Sequence, residues 1–567
     1  MSTDPEHDYA SGQGSEGVPA PEGRANLINT DYVIGQDNYT TRKFGVNVDL
    51  HGKVFSISSI SVVFFVLLTL ALPDVAETVF ETIRAFLTNT FDWFFLLAAN
   101  VFVVLAVVLI FTPLGRVRLG GVKATPDFSY SGWFAMLFAA GMGIGLMFYG
   151  VAEPIGHFDT ALQGTSIEAD TRAGEDIPAD AQRSDSAPLG GAYADEEAAA
   201  RLGMAATIFH WGLHPWAIYA IVALALALFS FNKGLPLTIR SIFYPILGER
   251  VWGWPGHIVD ILAVFATLFG LATSLGIGAQ QAGAGLAYIF AGIPNNDVTL
   301  VLLITGITLF ALGSVLLGVD KGVQRLSQLN MGLAGLLLLF VLAVGPTLFI
   351  ATSFFENLWS YTKNVVPLSN PFGREDTKFM RGWTAFYWSW WISWSPFVGM
   401  FIARVSRGRT VREFLIAVLL VPTVISVLWM STFGGTAIEQ FVGQGITAVK
   451  DADQTELKLF IMLNELPLAA ITSLIGITLV IVFFITSSDS GSLVIDAITA
   501  GGKVDAPKPQ RIFWAIIEGA IAIALLLGGG LSALQAMAVS TGLPFALVLL
   551  IGCYAIIRGL MDEPRPK

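Results

Sequence analysis

Apolar stretches of about twenty residues, each closed by polar or basic residues, recur twelve times along the chain. They fall at about 54–73, 92–112, 131–152, 204–230, 257–278, 298–317, 330–350, 383–404, 412–433, 467–489, 511–529 and 535–557. Helices of that length span a hydrocarbon core of roughly 30 Å. The pattern therefore predicts an all-α polytopic membrane protein with 12 transmembrane helices. Gln280 to Phe290 either extends the fifth helix or forms a short one of its own. Near 352–366, Phe354, Leu358, Trp359 and Tyr361 sit among polar residues, which predicts an amphipathic helix lying on the surface.

Polar segments complete the plan. Residues 1–50 are polar, Gly- and acid-rich and lack an apolar h-region, so no cleavable signal peptide is expected. They read as a disordered acidic cytoplasmic tail, followed by a twelve-span membrane domain over 51–560 and a short cytoplasmic C-terminus over 561–567. Arg116, Arg118 and Lys123 follow the second stretch, Lys233, Arg240 and Arg250 the fourth, and Lys321 and Arg325 the sixth. Arg404, Arg407, Arg409 and Arg412 follow the eighth, and Lys503, Lys508 and Arg511 the tenth. Basic loops stay in the cytoplasm, so alternate loops and both termini are expected inside the cell membrane. Lys363, Lys378 and Arg381 run against the alternation. The acid-rich segment 156–202 falls outside, as a solvated extracellular loop.

Composition narrows the function. The chain of 567 residues is 54% hydrophobic and 13% charged, with mean hydropathy +0.66, against roughly 25% charged residues in soluble domains. A net charge of -11 argues against nucleic acid as a partner. The single cysteine, Cys553, excludes disulfides within the chain. No nucleophile–base set, nucleotide loop or metal motif supports an enzyme, and no cofactor is expected beyond a coupling ion.

The eighth stretch carries the most specific chemistry. Four of the 14 Trp fall between Trp388 and Trp394. Helical spacing puts Trp390 and Trp394 on one stripe and Tyr387 and Trp391 on the next. One reading is an interfacial Trp belt. The other is an aromatic cage, which holds a quaternary ammonium through the ring quadrupole at about 2 kcal/mol or more per desolvated contact. In the third stretch, Gly141-Met142-Gly143-Ile144-Gly145 predicts either close helix packing or a break that opens an ion and substrate site at the midplane. The fourth stretch, Phe209 to Tyr219, adds a second aromatic set beside Pro215. Its His210 and His214 have zinc-ligand spacing but no third ligand in sequence. In the tenth, Thr486, Ser487 and Ser488 precede Asp489. These hydroxyls either bond back to their own helix or coordinate a dehydrated monovalent cation.

Together, Phe386–Arg409 (FYWSWWISWSPFVGMFIARVSRGR), Gly141–Pro154 (GMGIGLMFYGVAEP) and Phe209–Tyr219 resemble the betaine–choline–carnitine transporter family over about residues 50–557. The resemblance implies a LeuT-like fold with inverted repeats in spans 3–7 and 8–12. It also implies a homotrimer with the surface helix at its contacts. Trp211, Trp216, Tyr219 and Trp391 match the family's aromatic box, with Gly143 and Gly145 beside it, and Trp390 and Trp394 match the substrate path. The implied sodium ligands are the Ala139, Met142 and Phe483 carbonyls and the Thr486 and Ser487 hydroxyls. Thr267 and Phe397 match a second sodium site, where Leu271 stands in place of a hydroxyl residue. Choline-selecting members carry an acid where this chain has Gly145, so a small zwitterionic quaternary ammonium substrate is expected, such as glycine betaine. Carnitine, ectoine and proline are kept as related substrates. The long basic tail of osmosensing members has no counterpart before Lys567. Rival readings are proton coupling, sodium-independent exchange, and a channel or a non-transporting sensor.

Overall fold

The computed structural model describes residues 19–43, 46–141, 143–164, 184–192, 195–317, 320–503 and 507–564. A short antiparallel hairpin comes first. Strand β1 (Asn38–Lys43) pairs with β2 (Val46–His51), with Tyr39 opposite Leu50 and Thr41 opposite Val48. Fifteen principal helices follow. They are α1 Gly52–Ala71, α2 Pro73–Phe111, α3 Tyr130–Gly141, α4 Ile144–Gln163 and α5 Glu196–Trp211. Next come α6 Leu213–Ala227, α7 Trp254–Ile289, α8 Asp297–Leu317, α9 Asp320–Val344 and α10 Thr347–Ser369. The last are α11 Ala385–Val405, α12 Val411–Val442, α13 Ala469–Thr499, α14 Lys508–Leu527 and α15 Gly530–Met561.

Local chemistry sets several of these ends. His51 accepts the Val54 N–H at 3.2 Å to start α1. Pro73, which has no N–H to satisfy, opens α2 in the first-turn position that suits it. Thr410 and Glu413 form a reciprocal capping box that starts α12.

Every one of the twelve expected stretches lies on helix, and α7 absorbs Gln280–Ile289. Among the described residues nine helices are long and apolar enough to cross a membrane, counting α5 and α6 as one. The α3–α4 pair, bent by 65°, makes ten. The α8 helix qualifies only as a shorter apolar segment, Asp297–Gly313. The α11 helix falls outside the apolar set because Trp, Tyr and Ser fill it. The α5–α7 region is almost wholly buried, whereas α1 turns Ile60, Phe64 and Leu67 outward and α9 turns Leu336 and Leu339 outward. Such apolar faces fit lipid rather than water.

Three segment expectations change. Residues 19–51 are not a free tail. Glu22 exchanges backbone bonds with Gly120 and Lys123, its carboxylate pairs with Arg407 at 2.6 Å, and Ile28 N–H donates to Lys233. Tyr32 stacks on Trp252 at 4.1 Å and Lys503 pairs with Asp49 at 2.5 Å. The segment is held because its acids meet the basic loops that the charge pattern places on one face. In the acidic loop, α4 runs on to Gln163 and α5 begins at Glu196, so helix takes both ends of 156–202; 165–183 lie outside the described residues. The surface helix is longer than 352–366. Ile350, Ser353, Asn357, Ser360 and Tyr361 of α10 face the bundle, and Leu348, Phe355 and Trp359 are exposed.

One buried ion pair anchors a loop. Arg240 and Asp260 pair with side chains 1% and 0% exposed, and Asp260 also accepts the Arg240 backbone N–H at 3.0 Å. Removing one partner of a buried pair strands the other charge, which costs about 3–5 kcal/mol. Arg240→Ala is therefore expected to lower the unfolding temperature of the detergent-purified protein clearly. A melting curve that matches the parent would contradict the pairing.

Candidate functional site

A cavity of about 50 Å³ opens where α3 and α4 part. Gly143 caps α4 in extended backbone, with φ −166° and ψ −176°. Gly141 and Gly145 flank it, and the cavity is otherwise walled by rings: Trp211, Trp216 and Tyr219 from α5 and α6, and Trp390, Trp391 and Trp394 from α11. Ser274 of α7 and Ser426 of α12 add two hydroxyls. The structure thus brings together all eight residues singled out as substrate contacts, Gly143 and Gly145 included. The second aromatic set arrives through another break. Gly212 interrupts the helix between α5 and α6, and the freed Leu213 N–H donates to the Tyr361 hydroxyl of α10 at 3.2 Å.

The glycine run is both broken and closely packed. The helix breaks at residue 143, and it is closely packed on either side. A Cβ on Gly141 would stand 2.8 Å from Cζ2 of Trp216, and one on Gly145 would stand 2.7 Å from Cη2 of Trp211 and 3.0 Å from Cη2 of Trp390. A Cβ on Gly143 would meet nothing within 4 Å.

Four of the five indole N–H groups around the cavity are spent on protein acceptors. Trp391 donates to the His210 carbonyl at 2.9 Å, and Trp394 and Trp390 donate to the Gly270 carbonyl at 2.7 and 3.4 Å. Trp211 donates to Glu153 at 2.7 Å. These four indoles leave ring surface to the cavity, beside Trp216 and Tyr219. Trp211 and Trp391 stand edge to face at 4.9 Å, Tyr219 and Trp391 at 6.1 Å, and Trp216 and Tyr219 at 5.4 Å. Opposite them, the first N–H groups of α4 have no partner within their helix and carry its positive dipole end. A cationic head without hydrogen-bond donors fits the rings, and an anionic group fits the helix start.

Glu153 is the residue that sequence reasoning missed. It is fully buried on α4, and its carboxylate accepts from Trp211, from the Tyr387 hydroxyl at 2.6 Å and from His210 at 2.6 Å, with His157 at 3.2 Å. An acid inside an apolar span was the available signal. His210 therefore pairs with Glu153 and His157 rather than with His214, which bonds Asn100 at 3.1 Å. The three groups lie close enough to hold a metal, but the indole and phenol donors already occupy one carboxylate oxygen.

The expected cation ligands are spread over four helices, α3, α7, α11 and α13. Thr486 and Ser487 are half-buried on α13, and the Thr486 hydroxyl donates to the Val482 and Phe483 carbonyls at 3.0 and 3.2 Å. Ala139 is exposed in the last turn of α3, which packs on α11 and α12, and Met142 lies outside the described residues. Thr267 donates back to the Ala263 carbonyl at 2.8 Å, and Phe397 is half-buried on α11. Leu271 is buried, and its Cδ2 would stand 2.4 Å from a Cβ on Gly491, so an apolar contact fills that turn. Asp489 pairs with Arg511 at 2.9 Å.

Comparison with known proteins places this architecture. A family model described as the betaine/carnitine/choline family transporter matches residues 53–176 and 181–565. A glycine betaine/proline/choline transporter of Vibrio parahaemolyticus is 61% identical over 549 residues, covering 97% of both chains. Glycine betaine transporter 1 of the same organism is 52% identical over 543 residues, 95% of this chain and 98% of the relative. The glycine betaine transporter OpuD of Bacillus subtilis is 44% identical over 496 residues, 87% of this chain and 91% of the relative.

Crowding at residue 145 gives a direct test of the packing. Gly145→Ala is expected to displace two indoles and destabilise the protein by about 1–3 kcal/mol, the range for overpacking. Gly143→Ala, with open space around it, is expected to change stability little. Thermal unfolding of the two purified variants checks this, and equal melting would contradict the close approach at 145.

Proposed function

The chain belongs to the betaine/carnitine/choline family of transporters, and we propose that it imports glycine betaine or a related zwitterionic compatible solute by sodium-coupled alternating access. It is a multi-pass membrane protein and not an enzyme. The observation that carries the reading is the cavity itself, in which indole faces meet the start of α4. A trimethylammonium group seats on the faces of Trp211, Trp216, Tyr219 and Trp391, and needs no acceptor because it has no N–H to give. The substrate carboxylate takes the N–H groups at the head of α4, where Gly145 keeps the backbone bare. Trp390 and Trp394 line the path beside it.

In this reading sodium binds Thr486 and Ser487 with the Phe483, Ala139 and Met142 carbonyls, once the exposed end of α3 closes on α13. A cation site there ties ion binding to the same broken helix that receives substrate. At the second site, Thr267 and Phe397 lack a third oxygen because Leu271 packs on Gly491. We therefore favour one sodium per substrate. The exposed Leu348, Phe355 and Trp359 of α10 suit contacts between copies, in keeping with a homotrimer, and the chain sits in the cell membrane with both termini in the cytoplasm.

Uptake of labelled glycine betaine into proteoliposomes, with and without a sodium gradient, tests the core of the proposal. Accumulation is expected only with inward sodium, and sodium-independent accumulation would favour the proton-coupled or exchange readings. Trp391→Ala is expected to raise the apparent substrate constant about tenfold or more, since one cage contact is worth at least the ~1.4 kcal/mol that a factor of ten represents. Near-normal affinity would remove Trp391 from the cage. Thr486→Ala is expected to abolish sodium-driven uptake, and retained uptake would move the ion elsewhere. A reversal-potential measurement is expected to give one sodium per betaine; two would show that the Thr267 site is completed by other groups.

A further inference from the structure

Glu153 sits directly behind the cavity wall. The Trp211 indole reaches from one to the other: its N–H edge rests on the carboxylate, and its far edge, at Cη2, reaches the cavity at Gly145. Two donors fall on each carboxylate oxygen. Oε2 takes the Trp211 N–H and the Tyr387 O–H, and Oε1 takes His210 Nδ1 and His157 Nε2. The indole can only donate, so Oε2 has no hydrogen to offer it. His210 is satisfied as a neutral ring, giving Nδ1–H to Glu153 and accepting the Thr384 hydroxyl at Nε2, 2.9 Å away. Among the described residues the ion-pair partners of Glu153 are these two imidazoles, with no Lys or Arg. Apart from imidazoles, which carry charge only when protonated, the described residues give this carboxylate no cationic partner, so its charge is available to a third party.

We propose that Glu153 is the fixed anion of the cavity and determines how strongly the site favours a cationic over a zwitterionic quaternary ammonium. The proposal rests on the reading of the cavity as a quaternary ammonium site. Charge acts over a distance in a water-poor interior that screens weakly. An N–H bonded to an anion also makes the indole face richer in electrons, which strengthens its hold on a cation. A substrate with a net positive charge, such as choline, feels the Glu153 charge in full. A zwitterion carries its own carboxylate and feels far less of it.

Glutamine separates charge from geometry at this position. Its carbonyl accepts from Trp211 and Tyr387, and its amide offers two N–H groups, one to each imidazole. Each imidazole accepts by shifting its tautomer, and His210 then donates to Thr384. Every hydrogen bond is kept and the charge is gone. Tyr387→Phe is the converse, since it removes one hydrogen bond and keeps the charge.

Equilibrium binding of choline and of glycine betaine to the purified full-length protein, followed by tryptophan fluorescence, tests this. In Glu153→Gln choline is expected to bind about tenfold or more weaker, with betaine weakened distinctly less, so that the preference shifts toward the zwitterion. In Tyr387→Phe and Glu153→Asp the choline-to-betaine ratio is expected to stay at the parent value. An unchanged ratio in Glu153→Gln overturns the proposal. So does a shifted ratio in Tyr387→Phe, which would assign preference to ring placement, and this variant decides the matter even if Glu153→Gln does not fold. If the parent protein binds neither ligand, the cavity reading itself fails and this proposal with it. Normal parent binding with an unshifted Glu153→Gln ratio removes this proposal alone.

Discussion

Three indoles reach the broken helix only because residues 141 and 145 carry no side chain. Trp216 fills the space that a Cβ on Gly141 would take, and Trp211 and Trp390 share the space beside Gly145. The rest of the site follows from that approach. With the rings seated against backbone, the gap at Gly143 becomes a walled cavity rather than a loose kink, and the head of α4 lines it. Each glycine in a helix interior gives up about 1 kcal/mol relative to alanine. A stretch holding three of them within five residues is a weak helix, and it is tolerated here because the break is where the chemistry sits.

Ring placement alone does not make a cage; ring orientation does. The four indole N–H groups of Trp211, Trp390, Trp391 and Trp394 all end on protein acceptors outside the cavity. One of those acceptors is made available by a helix break and another by a missing side chain. The His210 carbonyl lies at the Gly212 break, and the Gly270 carbonyl is reachable because a Cβ there would stand 2.9 Å from Trp394. Helix breaks, small residues and indole donors are therefore one arrangement. Buried donors that are fully paired also fix the rings in place, which limits the ordering that a ligand must bring about on binding.

The helices were legible because apolar length is a strong signal, and the cavity rings because two aromatic runs flank a glycine run in a pattern shared with one family. Glu153 was not singled out. It sits between Ala152 and Pro154 as a lone acid, while its partners His210, Trp211 and Tyr387 lie 57, 58 and 234 residues away, so only the folded bundle shows what it does. The order in residues 19–51 was hidden for a similar reason. Composition marks that segment as polar, but Tyr39, Thr41, Val48 and Leu50 alternate as strands do, and Glu22 finds its arginine 385 positions later. For the cation ligands the sequence offered residue types but no geometry, and the structure places Ala139 and Thr486 on different helices, α3 and α13.

The central claim is that ring faces take the ammonium and the head of α4 takes the carboxylate. A structure of the purified protein with glycine betaine bound, at a resolution that orients the ligand, tests it most directly. The account predicts the trimethylammonium within about 6 Å of the ring centroids of Trp211, Trp216, Tyr219 and Trp391, with the carboxylate toward residues 143–145. A ligand bound in the reverse orientation, or outside this cavity, would contradict it.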